Sequence, residues 1–307
     1  MNLTYLHHLV RSCRPQQYTK NLLVFAAPLF AFSQVIDDWL KASVALIAFC
    51  CISSAIYLLN DCLDVEADRQ HPRKRYRPIA AGLVPVRQAL VLSVLLFVAS
   101  LFVSWGVSFP LSLVIFVYAL IQLSYCFRLK REPLLDLFCI ASGFLLRAMA
   151  GGVAANLTLS PWFLLTVGLL AMFLAVEKRK AELKVIQAQE RVTTRKVLER
   201  YSLPLLLRLE ALVSTSAFMS YSLWAAGPSL NGAKTSWMLL TVPFVLVGIF
   251  RYQLLSDPEE AERRSILYPD RTSEKPEKIL IGDRGIKLTL LGWFLSTVLI
   301  GLTSKAG

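Results

Sequence analysis

The densest run of reactive groups in the chain is Asn60-Asp61-Cys62-Leu63-Asp64-Val65-Glu66-Ala67-Asp68. On a helix, Asp61, Asp64 and Asp68 are offset by three and four residues and share one face. They cover about 10 Å of axis, the reach needed to hold Mg²⁺ against a diphosphate. Three neighbouring carboxylates repel one another unless a cation neutralises them. Hard oxygen ligands suit Mg²⁺, which divides its coordination among carboxylates, water and substrate phosphates. Taken alone, the acids are equally explained by a solvated helix end salt-bridged to Arg69, Arg73 or Lys74. The residues that follow shift the balance, because Arg73, Lys74, Arg75 and Arg77 place four cations within five positions of one another beside the acids. Cleaving a diphosphate requires that pairing: metal-held acids at the leaving group, Arg and Lys on the other phosphates. A basic patch against anionic lipid is the competing explanation.

Few other groups are available for chemistry. His7, His8 and His71 are the only histidines, which argues against a His-ligated metal or a His general base. The six cysteines lack the paired spacing of zinc or redox sites and read as small buried thiols. Arg147 stands in an apolar stretch, where a charge needs a partner or a polar cavity. It is either a phosphate or headgroup contact or a structural pair with Asp136 or Glu210.

The chain that must position these groups has 307 residues, 55% hydrophobic and only 18% charged, with a mean hydropathy of +0.54. A soluble domain carries nearer ~25% charged residues. Apolar runs near 21–36, 39–60, 86–105, 109–127, 133–152, 161–177, 202–226, 236–255 and 286–304 are bounded by Pro, Gly and charge. About 20 apolar residues cross a hydrocarbon core as a helix. The expected fold class is therefore an all-α polytopic membrane bundle of about nine transmembrane helices. It forms a single integral-membrane domain over 1–307, with polar loops near 61–85, 128–132, 178–201 and 256–285. The seventh run contains Arg208 and Glu210 and is expected to pack inside the bundle rather than against lipid.

The formal charge of +12 follows from where the loops lie rather than from nucleic-acid binding. Counting bases on alternate sides gives 28 on one side and three, Lys41, Lys234 and Lys305, on the other. The positive-inside rule then puts the N-terminus and the four polar loops in the cytoplasm and the C-terminus outside. The N-terminal bases before an apolar run mimic a signal peptide, but no small-residue cleavage site appears and the segment is expected to remain as the first helix.

The pattern Asn-Asp-x-x-Asp-x-x-x-Asp at 60–68, set in such a bundle, resembles the intramembrane prenyltransferases of the UbiA superfamily. Further stretches resemble its decaprenyl-phosphate phosphoribosyltransferase branch: Arg14-Pro-Gln-Gln-Tyr-Thr-Lys20-Asn21, Arg75-Tyr-Arg77-Pro-Ile-Ala-Ala-Gly82, Tyr125 to Lys130, Ser142 to Gly152 and Lys178-Arg-Lys-Ala-Glu182-Leu. That likeness implies transfer of 5-phosphoribose from 5-phosphoribosyl 1-diphosphate to a polyprenyl phosphate, with Mg²⁺ as cofactor, at the cytoplasmic face of a bacterial inner membrane. By the same likeness Asp61, Asp64 and Asp68 are the catalytic and metal-binding acids, with Asn60 orienting them. Lys20, Arg73, Lys74, Arg75, Arg77, Tyr125, Lys130, Arg147, Lys178 and Arg179 are substrate-binding candidates. Aromatic prenyltransferases of the superfamily carry a second Asp-rich motif after span six, whereas Glu177-Lys178-Arg179-Lys180-Ala181-Glu182 stands here. An aromatic prenyltransferase is the alternative enzyme, and a transporter lined by Arg147 and Arg208 is the alternative of another class. Membrane lipid is the expected partner beside the two substrates, nucleic acid is not, and a homo-oligomer is compatible with the sequence.

Overall fold

A computed structural model describes residues 3–72, 74–189, 196–257, 260 and 282–303. Among them there is no strand, and eight helices are long and apolar enough to cross a membrane. The chain is a multi-pass membrane protein. Its contacts divide it into two compact units, Met1–Arg128 with Leu146–Thr158, and Leu129–Leu145 with Leu159–Gly307.

The first unit contains α1 (Leu3–Ser12), α2 (Ala26–Phe30), α3 (Ile36–Leu63), α4 (Val65–Gln70), α5 (Val86–Val107), α6 (Phe109–Phe127) and the C-terminal half of α7 (Leu135–Ala154). Small residues decide how closely these helices approach. Ala42, Ala45, Ala48, Ile52 and Ala55 make a stripe on α3 that is almost wholly buried. Ser93 and Ser100 of α5 donate to the Ala55 and Ala48 carbonyls at 2.7 and 2.8 Å. The opposite side of α5 exposes Val94, Leu95, Val98 and Phe102, as a face turned to lipid requires.

The first expected span, 21–36, takes a different form. A 3₁₀ helix, Pro15–Phe25, leads into the short α2, and Phe32 turns the chain with a φ of 47°. Tyr18 shares a hydrogen bond with Ser54, Asn21 donates to Cys50, Phe25 stacks on Trp39, and Ser33 bonds Asp38. These partners fall in descending order along α3, so the segment runs antiparallel to it over most of its length. The ~2.0 Å rise of a 3₁₀ helix stretches this short stretch further than an α-helix would reach. Asn21 and Val24 anchor the irregular segment in the protein interior, and Leu22 between them is exposed.

The second unit contains the N-terminal half of α7, α8 (Pro161–Gln189), α9 (Leu203–Ala225), α10 (Val242–Ser256) and α11 (Arg284–Thr303). A 3₁₀ turn, Ser236–Thr241, extends α10 to spanning length. The expected loop 178–201 begins as a continuation of α8 to Gln189, and most of 256–285 lies outside the described residues. Glu210 of the seventh run is buried as expected, whereas Arg208, two positions away and near the start of α9, is exposed. Its long stem lets the guanidinium reach polar surroundings, which removes it as a buried lining residue for a translocation path.

Gly151 of α7 lies against the 3₁₀ segment so tightly that an added methyl would overlap the Val24 carbonyl oxygen, whereas at Gly168 of α8 nothing lies within 4 Å of that position. Gly151→Ala is therefore expected to cost about 1–3 kcal/mol through overpacking, and Gly168→Ala nearly nothing. Thermal unfolding of the two variants in the same detergent checks this, and equal midpoints would contradict the packing.

Candidate active site

Asp61 is the first of the motif acids and sits in the last turn of α3, 3% exposed. The helix then bends. Asp64, with φ −96° and ψ 11°, ends α3 and starts α4, its N–H bonded to the Asn60 carbonyl at 3.0 Å. The three acids are thus not on one uninterrupted helix, as their spacing predicts. The bend has a consequence for Asp68, which is 2% exposed on α4. A straight helix separates positions 61 and 68 by about 10 Å, yet here one guanidinium nitrogen, Arg77 Nη1, lies 3.0 Å from Asp61 and 2.5 Å from Asp68. Arg14 Nη2 is also 2.5 Å from the same Asp61 oxygen, and Lys74 Nζ is 3.7 Å from Asp68.

The loop carrying Arg77 is fixed by its apolar neighbours. Ile79 and Val84 are buried in a cluster with Leu58, Cys62 and Ala89. The Leu83 and Val84 N–H groups donate to the Pro78 carbonyl, at 2.9 and 3.2 Å, and Gly82 supplies the φ of 74° the turn requires. Arg69 donates to the Ala80 carbonyl at 3.2 Å, tying α4 to this turn. Arg14 is held from the other side. Its φ of 55° is in the left-handed region, at a cost of about 1–2 kcal/mol, and its guanidinium lies 4.8 Å from the Tyr57 ring centre. Among the bases of the acid site, Arg14 is the one that sequence reasoning left out of the candidates. Its signal was present in the Arg14-Pro15 pair of the first quoted motif.

Other candidates distribute differently. Asn60 and Lys20 are half-buried, the first beside the bend and the second on the 3₁₀ segment. Arg75 is exposed and lies on Tyr76, donating to its hydroxyl at 2.8 Å, so it is turned to its neighbour rather than to the acids. Arg73 lies outside the described residues, and Tyr125 is half-buried on α6. Arg147 is buried in the first unit. It donates to Asn21 at 2.7 Å, to the Tyr118 hydroxyl at 2.9 Å and to Ser53 at 3.4 Å, and its guanidinium lies over the Tyr118 and Phe49 rings. The pairs expected for it are taken elsewhere: Asp136 holds Arg179, and Glu210 holds Lys180. Arg147 therefore clamps the 3₁₀ segment to α3 and α6.

The second unit contains the remaining bases. Arg179, fully buried, donates to Asp136 at 2.6 Å and to Glu182 at 2.5 Å. Tyr201 donates to the other Asp136 oxygen and accepts the Leu134 N–H, both at 2.7 Å. Burial pushes the Tyr201 phenol far above its usual value, so it remains a donor to the carboxylate. Leu134 itself has a φ of 67°. Lys180 is enclosed by Glu177, at 2.6 Å, and Glu210. Lys178 and Lys130 are half-buried. Of the substrate-binding candidates Lys178 and Arg179, Arg179 is thus bound to carboxylates, as is its neighbour Lys180.

Among the described residues no three acidic, His or Cys side chains already form a metal cage. Asp61 and Asp68 nonetheless share one cationic nitrogen, which makes them a pair of hard oxygen donors of the kind a divalent ion accepts. The donor set fits such an ion when Arg77 gives up its place.

Comparison with known proteins agrees with this architecture. The sequence profile of the UbiA prenyltransferase family matches residues 22–269. Decaprenyl-phosphate phosphoribosyltransferase of Mycolicibacterium smegmatis is 42% identical over 298 residues, covering 93% of this chain and 89% of the relative. The protein of the same name in Corynebacterium glutamicum is 37% identical, covering 95% and 86%. A UbiA homolog from Archaeoglobus fulgidus, solved bound to DMAPP and Mg²⁺, superimposes with a TM-score of 0.71 at 15% identity, over 95% of this chain and 98% of that one. The chain belongs to the UbiA prenyltransferase family.

Replacing Asp136 by Asn removes the buried one of the two carboxylates, Asp136 and Glu182, that hold the buried Arg179. Breaking such a pair from one side costs about 3–5 kcal/mol, so Asp136→Asn is expected to lower the unfolding midpoint sharply. An unchanged midpoint would show that the pair does not carry the fold of the second unit.

Proposed function

We propose that this UbiA-family protein transfers 5-phosphoribose from 5-phosphoribosyl 1-diphosphate to a polyprenyl phosphate of decaprenyl type, releasing diphosphate. The observation that carries this reading is the similarity, at 37–42% identity over more than nine-tenths of the chain, to proteins named for that activity. The acid–base cluster of the first unit supports it, since donor cleavage needs both charges at one place. The Arg179 and Lys180 pairs support it as well, because the segment after span six is built from neutralised bases and not from a second set of free acids.

In this reading Asp61, Asp64 and Asp68 hold Mg²⁺, which when bound draws charge off the departing diphosphate. Arg14, Lys74 and Arg77 hold diphosphate oxygens by charge-assisted hydrogen bonds. Lys20, Tyr125, Lys130 and Lys178 are left to the phosphates of ribose and lipid, while Arg147 organises the core of the first unit. As the ribose C1–O bond breaks, a phosphate oxygen of the lipid attacks C1 from the opposite face and inverts it. The acceptor is already an anion, so no general base is required, in keeping with the three histidines. Lipid chains lie against the apolar helices. The excess of bases in the loops after α3, α6, α8 and α10 puts those loops in the cytoplasm, where a soluble sugar phosphate is available. The product is a lipid-linked pentose for cell-envelope synthesis at a bacterial cytoplasmic membrane.

Purified protein in detergent, given labelled 5-phosphoribosyl 1-diphosphate, a polyprenyl phosphate and Mg²⁺, is expected to move label into the lipid fraction. Asp64→Asn should reduce turnover at least about 100-fold with an unchanged unfolding midpoint, and a chelator should do the same to the unmodified protein. Activity that persists in excess EDTA would remove the metal assignment. Prenyl transfer from an isoprenyl diphosphate to an aromatic acid, without ribose transfer, would replace the whole reading by the alternative enzyme.

A further inference from the structure

The bases nearest the motif acids are engaged with the acids themselves. Arg77 Nη1 bridges Asp61 and Asp68, Arg14 reaches the same Asp61 oxygen, and Lys74 stands 3.7 Å from Asp68. The two carboxylates are 3% and 2% exposed, so stripping these cations away leaves buried charge uncompensated. We infer that Arg77, with Arg14, is an internal counter-ion that must leave the carboxylates for a divalent metal to bind, and that diphosphate drives the exchange by accepting the displaced guanidinium groups. This rests on the metal assignment of the proposed function and adds what that assignment does not contain: a coupling between the two ligands written into the protein's own ion pairs.

The charge arithmetic gives the reason. The cations that hold the buried Asp61 and Asp68 are Arg14, Lys74 and Arg77. A metal added alone displaces cations that then have no anion. A diphosphate added alone removes cations from buried carboxylates that then have none. Each ligand supplies what the other's arrival removes, so binding of either raises affinity for the other, and the coupling is reciprocal. Arg77 is suited to the exchange. It is 28% exposed at its side chain while both its partners are buried, and a planar guanidinium serves carboxylate and phosphate with the same geometry. The pinned turn from Pro78 to Val84 keeps its backbone in place while the side chain changes partner. After transfer, loss of the diphosphate returns the arginines to the acids and lowers the hold on the metal.

Full-length protein in detergent is titrated with Mn²⁺ as the paramagnetic probe, at controlled free-metal concentration, with and without inorganic pyrophosphate. The unmodified protein is expected to bind Mn²⁺ weakly alone and about 5–150-fold more tightly with pyrophosphate, the range of ordinary coupling energies. In Arg77→Gln, Mn²⁺ should bind roughly tenfold more tightly alone, and most of the gain from pyrophosphate should vanish. Arg14→Gln, which removes one cation from Asp61 only, should give a smaller change in the same direction. Equal Mn²⁺ affinity in the unmodified protein and both variants, or a pyrophosphate gain that Arg77→Gln leaves intact, overturns the counter-ion role while keeping the metal site. Absence of Mn²⁺ binding in every protein, with and without pyrophosphate, overturns the metal assignment and this inference together. Asp64→Asn, measured alongside, separates binding at the motif from background.

Discussion

Burying a carboxylate until 2–3% of its surface is exposed is costly without a cation beside it. In the first unit Arg77 meets that requirement for Asp61 and Asp68 at once. The bend at Asp64 and the turn through Gly82 bring the three residues together. The left-handed Arg14 adds a second guanidinium at Asp61, a costly backbone conformation retained where it completes a charge pair. Local strain and the break in α3 are thus both explained by charge compensation.

The second unit obeys the same constraint with a different outcome. Asp136, Arg179, Glu182 and Tyr201 form one network, and Leu134, another residue with positive φ, contributes its N–H to it. Here the pair is inaccessible to a ligand, and its contribution is to fix the segments that carry Lys130 and Lys178. Arg147 in the first unit donates to Asn21, Ser53 and Tyr118 and lies over two aromatic rings. Charges buried in a membrane protein are commonly read as functional. In this chain Asp136 is paired with a buried arginine, whereas Asp61 and Asp68 share one that is partly exposed.

Much of this was legible beforehand. Hydropathy located the eight regular spans, and the run of acids followed by bases pointed to the residues that ion pairs join at Asp61, Asp68, Lys74 and Arg77, because both signals are local. The first span was harder. Pro15, Lys20 and Asn21 break its apolar pattern, and only contact with α3 explains why an irregular segment with those residues is stable there. The bend at Asp64 carries no Gly or Pro to announce it. The identities of buried pairs are likewise hidden: charge alone offers Arg147 either a phosphate or headgroup contact or a pair with Asp136 or Glu210, and it does not say that Arg179 and Lys180 hold those acids. Pairing at a separation of tens of residues is decided by how helices pack, which periodicity does not encode.

The central claim, that the motif acids are held by internal cations and yield them to metal and diphosphate together, is tested most directly by a structure of the protein with Mg²⁺ and 5-phosphoribosyl 1-diphosphate bound. The account predicts Asp61 and Asp68 oxygens at the ~2.1 Å expected of Mg²⁺ ligands, with the Arg77 guanidinium moved onto a phosphate. A complex in which Arg77 still bridges the two carboxylates, with the metal and diphosphate bound elsewhere, would contradict it.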